Sequence, residues 1–197
     1  MKALSYEPYI DDQWQIEEIW NICQALIKRG RFEEEPWDVK EQILRKIYEN
    51  GLYNEYGCYD PMNDLAEALC VSDEENLCRA QIMKESGEEK MAAELYRELG
   101  QEDKCVEYYE KHLGKNCEAY EIVMNYYKER NYEKAIEVAE LALEKCKDDQ
   151  TPFIIFLMED SERCGDEKRF QKLNKSAHMR KAVDSDKVDE YFGQTLK

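Results

Sequence analysis

The stretch EAYEIVMNYYKERNYEKAIEVAELALEKC, residues 118–146, decides the fold. Apolar residues recur at helical spacing on both sides of Arg130–Asn131, where the pattern breaks once. A period near 3.6 that stops and restarts predicts two short amphipathic helices joined by a tight turn. In the second segment, Ala135, Ala139 and Ala142 stand at i, i+4 and i+7. Three small side chains then share one face, which lets a neighbouring helix approach closely while Tyr side chains fill the edges.

The same rhythm extends outward. Downstream of Ser72, breakers stand at Gly87, Gly100, Gly114, Asn131, Asp148–Asp149 and Gly165, 13 to 18 residues apart. Each interval holds one short amphipathic helix, and hairpins repeated this way mark a helical array. Ser72 and Glu75 form a capping box at its start. Upstream, DDQWQIEEIWNICQALIKRG places Trp14, Ile16, Ile19, Trp20, Cys23, Leu26 and Ile27 on one broad face, expected to point inward. PWDVKEQILRKIYENG repeats the logic with Val39, Ile43, Leu44 and Ile47 inward and Asn50–Gly51 as its stop. An aromatic connector around Gly57 leads to Asp60–Pro61, an N-cap followed by proline at the first helical position. The expected organisation is an N-terminal helical extension over 1–71 and repeats over 72–182. Residues 183–197 follow as a tail or short helix, and all three form one continuous unit of roughly ten helices.

The quoted hairpin resembles a tetratricopeptide repeat, a helix–turn–helix unit of about 34 residues. Tyr126 falls at that family's aromatic in the first helix, and Tyr132 at the aromatic just after the turn. Ala135 and Ala142 fall on its two small positions in the second helix. Arg130–Asn131 replaces the usual Gly-Asp or Gly-Asn turn. Neighbouring units match in part. Gly87 with Ala92 fits one; Gly100 with Cys105 fits a second, with His112 where Ala is expected; Gly165–Asp166 fits the turn of a third, with Phe170 replacing the small residue. The resemblance covers about residues 73–180. It implies an all-α fold of antiparallel hairpins stacked as a right-handed α-solenoid. It also implies a concave face lined by the first helix of each hairpin, here Tyr120, Met124, Tyr127 and Lys128. Some members clamp a C-terminal carboxylate with paired Lys and Asn; Glu121 and Met124 stand where such Asn residues belong.

Composition narrows the function. Of 197 residues, 43% are hydrophobic and 37% charged, which suits a folded, water-facing chain. Net charge is −17, and residues 1–75 carry 18 acidic against 7 basic side chains. Such a surface repels nucleic acid, so no nucleic-acid partner is expected. No apolar run reaches membrane-spanning length, and MKALSYEPYIDDQW has no apolar core of a secretory signal, so no membrane partner is expected and the cytoplasm is the default. The eight cysteines form no CxxC and read as reduced core residues. One segment runs against the acidic trend: KRFQKLNKSAHMRK, residues 168–181, has six basic residues and no acid.

Catalytic motifs are missing: there is no GxSxG, GxGxxG, P-loop or HExxH. Cys105, His112 and Cys117 come close to a zinc set but lack a fourth ligand, and no metal or cofactor is expected. The chain is therefore expected to be a non-enzymatic cytoplasmic module that grips a peptide or helical segment, basic in charge, in a concave groove. A homodimer is left open. The alternative is a regulatory sensor that takes a small ligand or signalling peptide between the repeats and the N-terminal helices, with Trp14, Trp20 and Trp37 as reporters.

Overall fold

The computed structural model describes residues 13–49, 59–114 and 116–195. The connector around Gly57 and the side chains of Trp14 and Ile16 lie outside the described residues. Among these residues the fold is all-α, with eleven helices. They are α1 (Gln13–Arg29), α2 (Trp37–Glu49), α3 (Tyr59–Leu69), α4 (Asp73–Glu85), α5 (Glu89–Glu98), α6 (Glu102–Lys111), α7 (Cys117–Lys128), α8 (Tyr132–Lys145), α9 (Thr151–Arg163), α10 (Glu167–Met179) and α11 (Ser185–Thr195). No helix among them is long and apolar enough to cross a membrane. The chain divides into two compact units, residues 1–101 and 102–197.

In the first unit, α3 packs against α1 and α2, α2 against α4, and α4 against α5. Residues 86–88 are all that separate α4 from α5, so the chain doubles back and the two form a hairpin. Gly87 makes that reversal at φ 93°, a backbone conformation that costs other L-residues about 1–2 kcal/mol. The Ser72 hydroxyl caps α4 by accepting from Glu75 N at 3.2 Å. The Glu75 carboxylate accepts from Val71 N at 2.8 Å and from Lys40 Nζ at 2.7 Å. Lys40 is buried, so this ion pair fastens α2 to α4 from inside. Burial pushes the Glu75 carboxyl up, but the bonds from Lys40 and Val71 N prevail and hold it below its ordinary range.

Two expectations for this unit change. Trp20, Leu26, Val39 and Ile43 are exposed rather than inward. Cys23 is the buried anchor of α1, which packs on α3. An amphipathic stripe of ordinary width is about 100° across. The apolar arc from Ile22 round to Trp20 covers about 160° at 100° per residue, more than one neighbouring helix can cover.

In the second unit, packing follows chain order: α6 on α7, α7 on α8, α8 on α9 and α9 on α10, the arrangement of a helical repeat. The α7–α8 turn spans residues 129–131 and the α9–α10 turn 164–166. Asn131 has φ −151° and works as the N-cap of α8, its side chain accepting from Lys134 N at 3.1 Å. This turn therefore needs no left-handed residue, which accounts for the missing glycine. Ala135, Ala139 and Ala142 are fully buried, as is Ala119 on α7, and α8 packs against both α7 and α9. Ala92 is likewise buried on α5.

Helix α9 is the most enclosed element. Phe153, Ile154, Phe156, Leu157 and Met158 are all buried, and α8, α10 and α11 pack around the helix. Helix α11 is a true helix, and its Val188 and Phe192 join Ile154, Met158, Ala177 and Val183 in one cluster. Phe170, partly buried, meets Phe192 edge-on at 5.3 Å and packs against that cluster.

Candidate functional site

The four residues expected in a groove separate into two pairs. Tyr120 and Met124 are packed inside, at 2% and 1% exposure, and cannot meet a partner in this arrangement. Tyr120 donates its hydroxyl to the Gly114 carbonyl at 3.3 Å. Burial, with smaller contributions from Cys146 and Cys117, pushes its phenol up. The cause is the position of α7 between α6 and α8, which consumes the apolar face that was expected to stay open.

Tyr127 and Lys128 are half-buried and engaged within the chain. The Tyr127 hydroxyl donates to Glu110 at 2.9 Å, and Lys134 Nζ donates to Glu110 at 2.6 Å. Lys134 also sits 3.9 Å from the centre of the Tyr127 ring. Lys128 Nζ lies 4.8 Å from the Phe156 ring. The adjoining aromatics repeat the pattern. Tyr126 donates to Asp103 at 2.6 Å and carries Arg130 over its ring at 4.3 Å, while Arg130 pairs with Glu102 at 2.7 Å. Tyr132 has Arg163 over its ring at 3.7 Å and meets Phe156 edge-on at 5.4 Å. These rings already hold cations of their own chain, so they tie α6, α7, α8 and α9 together instead of offering free faces.

Among the described residues, exposed large apolar side chains paired one turn apart lie elsewhere, on α1 and α2. Ile22 and Leu26 stand one turn apart on α1 at 52% and 46% exposure. Glu18 continues the same row one turn earlier. A shallow, open depression runs beside it, lined by Glu17, Glu18, Asn21, Ile22 and Ala25. On α2, Val39 and Ile43 form a second exposed pair one turn apart. An apolar row with carboxylates at one end can hold a helix or extended peptide whose own apolar side chains are flanked by Lys or Arg. Sequence reading assigned Leu26, Val39 and Ile43 to inward faces and did not single out Ile22. The arc too wide for one neighbour was the signal that could have found them.

The near-zinc set does not assemble. Cys105 is buried, whereas His112 is exposed and its ring stacks on Tyr108 with centroids 4.2 Å apart. Among the described residues no three His, Cys, Asp or Glu side chains are grouped to hold a metal ion. The seven described cysteines are free thiols. Burial pushes the Cys70 thiol up to about 11, and burial together with a hydrogen bond to Cys117 pushes Cys146 to about 12. Both stay protonated near neutral pH and act as packing groups, not nucleophiles. The sequence matches no protein-family model and no curated protein.

Proposed function

We propose that this chain is a non-enzymatic protein-interaction module of the cytoplasm that binds a basic, amphipathic segment of a partner protein. The observation that carries the reading is the exposed row Ile22–Leu26 with Glu17 and Glu18 at its end, on a helix that packs chiefly on α3. An apolar row left open in a strongly acidic part of the chain favours a partner with apolar anchors and a positive rim. The groove first expected around Tyr120 and Met124 is replaced by this face as the contact site. The order of packing from α6 to α10 supports a stack of helical hairpins as the scaffold of the second unit, which we take to be tetratricopeptide-like and right-handed.

The test is a titration with a synthetic amphipathic peptide carrying Leu on one face and Lys on the other, followed by the fluorescence of Trp20. Binding is expected to saturate, to weaken with salt, and to weaken roughly tenfold in Ile22→Asp and Leu26→Asp. If the peptide fails to saturate and pull-downs at low and high salt recover no saturable protein partner, the proposal falls.

A further inference from the structure

Helix α10 divides its basic residues between two faces. Arg169 and Arg180 turn toward the protein. Arg169 donates to Asp160 at 2.6 Å and to Glu140 at 3.1 Å. Arg180 donates to the Leu143 carbonyl at 2.9 Å, to Gln150 Oε1 at 2.8 Å and to Ser176 Oγ at 2.9 Å. The inward side of the helix, Phe170, Leu173 and Ala177, packs into the cluster that α9 and α11 share. Lys168, Lys172 and Lys175 do the opposite. All three are exposed, and among the described residues none forms an ion pair.

Their spacing is that of one helix row: i, i+4 and i+7, with Met179 completing it at i+11. Met179 is the most exposed large apolar residue described, at 74%. The row is about 16 Å long and one side chain wide. A bare cationic row with an apolar end is unusual on a protein of net charge −17. Its surroundings limit what it can hold. Glu167, Asp186 and Asp189 are exposed on α10 and α11. A duplex or an anionic bilayer extends in two dimensions and would bring its phosphates against these carboxylates. A single helix laid along the row matches its length and its one-side-chain width.

We infer that the row Lys168, Lys172, Lys175 and Met179 is a second docking surface, whose occupant is an acidic amphipathic helix of a partner protein. It is a different face from Ile22–Leu26 and stands or falls separately from it. The lysines supply long-range attraction and register, and Met179 supplies an adaptable apolar contact at one end.

The experiment uses the full chain and a synthetic helical peptide of about 16 residues, with Glu at successive i, i+4 and i+7 positions and one Leu beyond them. Binding is followed by calorimetry and by the NMR signal of the Met179 methyl group. Saturable binding that moves this methyl signal is expected, with Kd raised at least roughly tenfold in the triple variant Lys168→Glu, Lys172→Glu, Lys175→Glu. Far-UV circular dichroism checks the fold, and the triple alanine variant replaces the charge reversal if the latter unfolds. Ile22→Asp should leave this binding unchanged. The inference is overturned if the peptide does not bind, if the lysine variants bind it as well as the parent chain, or if phosphatidylserine vesicles or a DNA duplex bind the row more tightly than the peptide.

Discussion

Helices α1 and α9 both carry a heavy apolar load, yet one shows much of it to water and the other hides nearly all of it. In α9 the run Phe153–Met158 is enclosed because α8, α10 and α11 approach from several sides. In α1, Ile22, Leu26 and Trp20 remain open because α3 covers only the arc around Cys23. The difference teaches that the number of neighbours, not the hydrophobicity of the helix, decides which apolar side chains become core. It also separates the two helices: α9 holds its unit together, whereas α1 leaves apolar surface open to water.

The sharpest test of this contrast is truncation in α9. Leu157→Ala removes a side chain buried among three helices and should cost about 3–5 kcal/mol, read as a lower urea midpoint by circular dichroism. A cost below about 1 kcal/mol would show that α9 is not the enclosed centre described. Next in size is the buried tie of the first unit. Lys40→Ala removes the bond to a partly exposed Glu75, which keeps its bond from Val71 N, and should cost about 2 kcal/mol. Its signature is pH dependence. Glu75 is depressed in the folded state, so the pair's stability is complete above the ordinary value of 4.5 and is lost as pH falls through the lower folded value. Thermal melts from pH 6 down to pH 3 should fall more steeply for the parent chain than for Lys40→Met, Glu75→Leu; parallel curves would break the assignment.

Asn131→Ala is smaller. Losing the cap on Lys134 N should cost about 1 kcal/mol, and Asn131→Gly only a few tenths. No loss of stability in Asn131→Ala would show that the turn does not depend on this side-chain bond. The smallest effect belongs to the exposed row. Leu26→Ser should change stability by no more than about 0.5 kcal/mol while weakening the basic peptide of the binding assay. A large loss of stability would mean that α1 is core after all and would erase the contrast with α9.

Much of the fold was legible in the residues. The break at Arg130–Asn131, the alanine row and the glycine punctuation correspond to α7, α8 and the turns between hairpins, because local propensity and hydrophobic period act over a few residues. The capping role of Ser72 was legible for the same reason, although Glu75 reaches Val71 N and Lys40 as well. The contact surfaces were not. Tyr120 and Leu26 are both apolar positions on amphipathic helices, yet Tyr120 is interior and Leu26 open. No periodicity tells them apart, since each outcome depends on helices distant in the chain. The half-and-half division of α10 was latent in its spacing, but only the positions of Asp160, Gln150 and Leu143 show that the arginines are engaged and the lysines free.

By itself the sequence determined that this chain is helical, where its helices break and which positions had to be small. Those properties follow from steric and hydrogen-bonding preferences of neighbouring residues. The tertiary structure alone decided which apolar faces were closed, which cations were paired and which surfaces remained for a partner. Burial is a relation between segments far apart in the chain, and it exists only once they have come together.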